Sequence, residues 1–323
     1  MSAQTTRTAV VLAAGLGTRL RPLSNQVPKP LFPIANRPLL GIILEQLIAS
    51  GFRRLAINTH HRADDLRDFV ESHRPAGVEV VVSYEPEILG TGGGLRQLAG
   101  FLGDKPFLVI NGDIITDLNL ARAYRRHRPE ALATMILHDY PRFNNVWLDP
   151  AANPAAFGGA RPSHCLAAPL AFTGIQVVSP RIFALMSSGV YVDIINIYRQ
   201  AIASGGMVAG AVEQGFFWRD IGTPQDYLEI HRLLLAGRVP GLAPLFPNLS
   251  DPCVSPGAVL EEGVCCAGGV TVGPGGRVGR GAHLKNTVIW AGTIIAPQVR
   301  LEDCLVGQGV RVRESARGRC FSS

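Results

Sequence analysis

Residues 10–39 read VVLAAGLGTRLRPLSNQVPKPLFPIANRPL, and the fold follows from how this stretch is read. An apolar strand, Ala9 to Ala13, runs straight into a loop carrying Gly15, Gly17, Thr18 and Arg19. Farther on comes Lys29, held between Pro28 and Pro30. Small residues let a backbone approach phosphates closely, and their free N–H groups can form an anion nest. Arg19 offers a planar fork for phosphate oxygens and Lys29 a compact point charge. The stretch is built to handle phosphate, at the carboxyl end of a strand.

Two common phosphate loops fit it poorly. No Lys-Ser/Thr pair follows Gly17, so the P-loop pattern is absent. The dinucleotide pattern G-x-G-x-x-G fails at its third glycine, where Leu20 stands. Where that pattern expects an acidic ribose ligand, roughly 20 residues on, the chain has Arg37. A nicotinamide-dependent oxidoreductase is thereby disfavoured.

Outward from the loop, the first 235 residues alternate strand-like and helix-like segments. Short Val/Ile-rich runs at 54–58, 78–83, 107–110 and 133–137 suit buried parallel strands. Amphipathic stretches at 39–50, 63–72, 94–101 and 118–127 lie between them. This alternation predicts an α/β fold with a doubly wound, mostly parallel sheet and ligand chemistry at the strands' carboxyl ends.

The pair of blocks L-A-A-G-x-G-T-R-L-x-P-L (Leu12 to Leu23) and P-K-P (Pro28 to Pro30) resembles the signature of the sugar-1-phosphate nucleotidyltransferases. The resemblance extends over residues 7–235. It implies a Rossmann-like nucleotidyltransferase domain that condenses a sugar 1-phosphate with a nucleoside triphosphate, releasing pyrophosphate. Leu12, Ala13, Ala14, Gly15, Gly17 and Thr18 would then bind nucleotide, and Arg19 and Lys29 would act on the phosphates. Residues 107–117, FLVINGDIITD, place Asn111-Gly112-Asp113 at a strand tip. Asn-Gly alone is a common hairpin turn; the family resemblance makes Asp113 a Mg²⁺ ligand and Gly112 a nucleotide contact. FFWRDIGTP, residues 216–224, is similar to the family's W-x-D-x-G-T-P segment, which makes Asp220 the second metal ligand. Asp220 could instead cap a helix starting near Thr223. EPEILGTGGGL, residues 85–95, resembles the segment that contacts the base, through Gly90, Thr91 and Gly92; it also reads as a loop opening a helix after Gly94. On the sugar side the resemblance points to Asn145 and to Gly174 in AFTGIQVV.

One departure stands out. Many relatives carry Glu-Lys-Pro between the two sugar segments, and residues 147–170 contain no lysine. Either Arg161 or another cation substitutes, or the chain belongs to a subgroup managing without it. Base and sugar stay open: the TGGG segment leans toward uridylyltransferases of the N-acetylmuramate type, the C-terminal texture toward mannose-1-phosphate guanylyltransferases.

That texture begins after residues 237–256, a stretch rich in Pro that reads as a linker between a 1–236 catalytic domain and a 257–323 tail. Apolar residues recur every six positions at Val254, Leu260, Cys266, Val272, Val278 and Leu284. The register then slips, continuing at Ile289, Ile295, Leu301, Val306 and Val312. Such a period with interspersed Gly predicts a short left-handed hexapeptide-repeat β-helix. Repeat surfaces commonly self-associate, so a homo-oligomer is expected.

With 47% hydrophobic and 17% charged residues the composition is that of a globular protein. No apolar run is long enough to span a membrane, and MSAQTTRT lacks a signal peptide's apolar core. A soluble, cytoplasmic protein with no membrane partner is expected. The net charge of +6 fits small anionic substrates; the one dense basic cluster, Arg122, Arg125, Arg126 and Arg128, reads as a solvated face, so no nucleic-acid partner is expected. The six cysteines lack C-x-x-C spacing and read as small buried apolar residues. His60-His61 reads as structural. The alternative to an enzyme is a non-catalytic regulatory subunit that binds a nucleotide sugar, although such a subunit needs no metal carboxylates.

Overall fold

A computed structural model describes residues 6–166 and 168–322. The described chain divides into two compact units. The first takes the chain up to Gly15, Leu44–Gly112 and Leu118–Trp218; the second takes Leu16–Ile43, Asp113–Asp117 and the chain from Arg219 onward.

The first unit is organised by a seven-stranded sheet in the order Val208–Val212, Ala133–His138, Ala171–Val178, Phe107–Asn111, Arg7–Leu12, Phe52–Thr59, Glu79–Tyr84. Neighbours are parallel except Ala171–Val178, which runs antiparallel to both strands beside it. Ala9, Val10 and Val11 are wholly buried, as are Leu108, Val109 and Ile110 across from them. Buried on both faces, these strands read as continuous apolar runs instead of alternating ones.

The expected helices are present with shifted ends. Ala63–Ser72 stands as expected. The 118–127 stretch gives a shorter helix, Leu120–Arg125, because the Asn119 side chain caps it by accepting the Arg122 N–H at 2.8 Å. The segment expected to be a loop up to Gly94 is already helical from Gly90, and a second short helix, Ala99–Leu102, follows the break at Leu98. Packing explains why a glycine run is helical here. A Cβ on Gly92 would lie 2.7 Å from Val192 Cγ1, and one on Gly93 would lie 2.8 Å from the Val190 carbonyl oxygen. Close approach outweighs the helix-weakening entropy of glycine.

In the second unit the six-residue period becomes three stacked parallel sheets, the geometry of a left-handed β-helix. Five strands stack in one face (Cys253–Val254, Thr271–Val272, Val288–Ile289, Leu305–Val306, Cys320–Phe321) and four in each of the others. Val272, Ile289 and Val306 align in one inward column, Val278, Ile295 and Val312 in a second, and Leu284 and Leu301 in a third. The slip after Leu284 has a local cause. The corner Gly268–Gly269 of the first coil is replaced by single left-handed residues, Asn286 (φ 44°) and Asp303 (φ 54°), in the next two. The first strand of the stack, at Cys253, lies within the stretch read as a linker, which also holds the short helix Pro240–Leu245 with Leu242 fully buried.

All six cysteines are free. Cys165 and Cys304 are buried as expected, but Cys265 is exposed, since it precedes the inward Cys266 and points to the opposite side of its strand. Among the described residues no helix is long and apolar enough to cross a membrane.

Candidate active site

Four of the expected site residues come together in the second unit. Gly17 adopts the left-handed conformation (φ 61°, ψ 27°) and starts the short helix Thr18–Leu20. A side chain there would press on Ser24, whose Oγ donates to the Gly17 carbonyl at 2.9 Å. The turn leaves Thr18 and Arg19 exposed while Leu20 is buried beneath them. Lys29 opens another short helix, Lys29–Leu31. Its Nζ lies 2.6 Å from Asp113 Oδ2, with the lysine side chain 11% and the aspartate 29% exposed.

Asp220 is held beside this pair. The Ile221 N–H donates to the Asp113 carbonyl at 2.9 Å, tying the two acidic segments together. Burial first, and then the Asp113 carboxylate, push the Asp220 carboxyl above the ordinary range, while Lys29 and Arg19 pull it back. Gly222 completes the arrangement. A Cβ there would sit 2.5 Å from Asp220 Oδ2 and 3.3 Å from both terminal nitrogens of Arg19. Asp220 does not cap the following helix; Thr223 does, accepting the Asp226 N–H at 3.1 Å while its hydroxyl donates to Asp226 Oδ2. Asp117, the other acid of this loop, packs against the Gly241 backbone.

The remaining expected residues belong to the first unit. Leu12 ends its strand with its carbonyl accepting the Gly112 N–H at 2.8 Å, and a Cβ on Gly112 would lie 2.9 Å from that oxygen. The Ala13 N–H donates to Asn58 Oδ1 at 2.8 Å; Ala14 is buried and Gly15 exposed. Gly90 and Gly92 pack on the Val192 carbonyl, and Thr91 Oγ1 accepts the Ile194 N–H at 3.0 Å. On the sugar side the Asn145 N–H donates to the Leu170 carbonyl at 3.1 Å. Gly174 has φ 73°, and the carbonyl of the preceding Thr173 accepts the Trp218 Nε1–H at 2.8 Å.

A supporting relay escaped the sequence reading. Asn58, which holds Ala13, donates through Nδ2 to Glu85 Oε1 at 2.7 Å, and Glu85 Oε2 accepts the Leu89 N–H at 2.9 Å. Glu85 is fully buried, and Gly94 leaves the room it needs. An acid directly after a strand in the glycine segment was the available signal. His60 Nδ1 lies 2.8 Å from the Glu85 carbonyl, a structural contact. Arg161 Nε donates to the Cys165 carbonyl at 3.2 Å. Of the basic cluster, Arg122 and Arg126 both face the buried Glu213, at 3.2 and 3.5 Å.

Residues 8–145 match the nucleotidyl transferase family. The chain is 31% identical to the N-acetylmuramate alpha-1-phosphate uridylyltransferase of Neisseria meningitidis, over 67% of this chain and 93% of that protein. This chain belongs to the sugar-1-phosphate nucleotidyltransferase family. It is also 29% identical to the UTP–glucose-1-phosphate uridylyltransferase of Synechocystis, over 92% of this chain and 86% of that one. The mannose-1-phosphate guanylyltransferase of Mycobacterium tuberculosis is 29% identical, over 88% and 80%. These family members differ in base and in sugar.

Proposed function

We propose that this nucleotidyltransferase joins a sugar 1-phosphate to a nucleoside triphosphate with Mg²⁺ held at Asp113 and Asp220. The observation that carries the reading is the gathering of Arg19, Lys29, Asp113 and Asp220, from three distant stretches of sequence, into one unit. A subunit that only bound nucleotide sugar would need no paired carboxylates beside two cations.

A phosphate oxygen of the sugar 1-phosphate attacks the α-phosphorus in line. The bond from that phosphorus to the bridging oxygen breaks, and pyrophosphate leaves with the electron pair. No bond to the protein forms, so the side chains position and neutralise. Arg19 holds the β- and γ-phosphates through its planar fork, and Lys29 meets the charge that develops at the α-phosphate. The contact to Asp113 fixes where the Lys29 ammonium sits. The family resemblance assigns nucleotide contacts to Leu12, Ala13, Ala14, Gly15, Gly17, Thr18, Gly90, Thr91, Gly92 and Gly112, and sugar contacts to Asn145 and Gly174.

The donor set fits the metal. Burial and the neighbouring Asp113 carboxylate make Asp220 costly to ionise, a shared cation relieves that cost, and oxygen donors suit a hard ion such as Mg²⁺. When bound, Mg²⁺ would supply charge neutralisation on phosphate oxygens.

The test is pyrophosphate release from each of ATP, GTP, CTP, UTP and dTTP with a panel of sugar 1-phosphates, with Mg²⁺ and with chelator. Release that needs Mg²⁺ with one pair names base and sugar together. Silence across the panel, with thermal stabilisation by a nucleotide sugar, would overturn the catalytic reading in favour of a regulatory subunit.

A further inference from the structure

One face of the repeat stack differs from the other two. On the faces carrying Arg277 and Arg311, and His283 and Arg300, these outward residues are exposed and Ile294 between the first two is half-buried. On the five-stranded face the outward Thr271, Val288 and Leu305 are each at most 1% exposed, and the adjoining Trp290 is 3% exposed. What this side of the stack meets, within the same unit, is the segment that carries Arg19 and Lys29.

Four coils make the contact. Across the first two, the Cys253 and Val272 carbonyls both accept from Asn36 Nδ2, at 3.2 Å each. This holds the Ala35-Asn36 turn, whose two residues both have positive φ. Farther along, the Trp290 ring lies edge-on to Phe32, centroids 4.7 Å apart, and its Nε1 donates to the Tyr227 hydroxyl at 3.2 Å. That hydroxyl donates in turn to the Pro33 carbonyl. In the next coil Gly307 has no room for a side chain, because a Cβ would strike Gln26 and lie 3.1 Å from Leu23. Phe32 is coupled to Lys29 directly, its N–H donating to the Lys29 carbonyl at 3.0 Å.

We propose that Trp290 is a positioning residue for nucleotidyl transfer: it fixes Phe32 and Pro33, and through them the Lys29 ammonium. The proposal rests on the role given to Lys29 above. The repeat stack is then a wall of the catalytic apparatus. The physical reason is the sensitivity of transfer reactions to placement, where about 1 Å of displacement costs on the order of 10²-fold in rate. The Trp290–Phe32 and Trp290–Tyr227 contacts restrain the residues that directly follow the short Lys29–Leu31 helix.

The experiment compares Trp290→Ala and Trp290→Phe with a control, Leu301→Ala, which opens the interior of the stack without touching the 29–38 segment. Hydrogen exchange of peptides spanning 29–38 is read in each, with kcat and both KM values measured well below the melting temperature. Trp290→Ala is expected to speed exchange in that segment and to lower kcat by about tenfold or more, with KM for the sugar 1-phosphate within about twofold. Trp290→Phe, which keeps a ring against Phe32, is expected to recover most of kcat. Leu301→Ala should lower the melting temperature and leave both readouts in place. Unchanged exchange and kcat in Trp290→Ala would overturn the proposal, as would faster exchange with kcat intact, or an equal kcat loss in the control. If Trp290→Ala does not fold, Tyr227→Phe takes its place with the same expectations. A wild-type chain releasing no pyrophosphate would count against the enzymatic reading alone; exchange in the variants would still decide whether Trp290 sets the segment.

Discussion

Lys29 stands between two demands: its ammonium is paired to Asp113 at 2.6 Å, and in the proposed reaction it is the cation offered to the α-phosphate. Lys29→Ala is expected to keep the fold, because the pair is only partly withdrawn from water and such pairs contribute little to stability. Turnover should fall by ~10² or more, as when comparable electrostatic stabilisers are removed. Circular dichroism and pyrophosphate release measure the two separately, and wild-type turnover would refute the role. Gly222→Ala probes space instead of charge. Its Cβ would occupy a position 2.5 Å from Asp220 Oδ2, so the carboxylate must turn away. The Mg²⁺ concentration for half-maximal rate should rise by about tenfold, with the melting temperature little changed. An unaltered Mg²⁺ titration would exclude Asp220 as a ligand. At this scale the sequence was most legible for charged residues in short motifs: Arg19, Lys29, Asp113 and Asp220, singled out there, lie together in the fold. Asn58 and Glu85 were not, because they act on Ala13 through buried hydrogen bonds to residues 45 and 27 positions away.

The helix Pro224–Leu235 shows how an element supports the site from behind. Its start follows local rules, with Thr223 as cap, Pro224 at the first position and Asp226 in the first turn. Its buried side carries Tyr227 and His231 against the Pro33–Ala35 turn. His231 Nδ1 lies 2.8 Å from the Tyr227 carbonyl, and its Nε2 lies 3.1 Å from both the Ala35 N–H nitrogen and the Pro33 carbonyl oxygen. Burial, partly offset by hydrogen bonds to the Tyr227 and Pro33 carbonyls, lowers its pKa to about 4. Above the unfolded value of about 6.5 the ring is neutral folded and unfolded, and this group gives no pH dependence. Between there and about 4 only the unfolded chain takes the proton, so stability falls with pH, by about 3 kcal/mol in total. Urea titrations across that window should show a slope shallower by about one proton in His231→Gln than in the wild type. Equal slopes would mean that the buried ring already titrates in the native state. The glycine segment teaches the opposite lesson about legibility. It was read as a base contact and as a loop, not as a helix, since what excludes side chains there is Val190–Val192, about a hundred residues away in sequence.

On the scale of the whole chain, the six-residue period made the parallel stack readable, down to the register slip after Leu284. The period reports only the inward columns, however, and so said nothing of which outward face would be covered. That information lies in single residues, Trp290, Gly307 and Asn36, whose partners are fixed by the tertiary fold. The Neisseria relative is matched over 93% of its own length by 67% of this chain, so about a third of the present sequence lies outside that match. A natural expectation would be that the repeats are a dispensable appendage. The structure argues otherwise for this sequence. Phe32 and Tyr227 are fully buried, and both contact Trp290. A chain ending at Ser250 would expose part of two aromatic side chains whose full burial is worth roughly 2 kcal/mol each. It would also strip Asn36 of both its carbonyl acceptors. The truncated chain is therefore expected to expose an apolar patch, to associate or precipitate, and to lose at least about 10²-fold in turnover through a mobile Lys29 segment. Sedimentation of the purified truncation, with its rate of pyrophosphate release, measures both. A monodisperse product with full activity would show that Lys29 needs nothing from the stack.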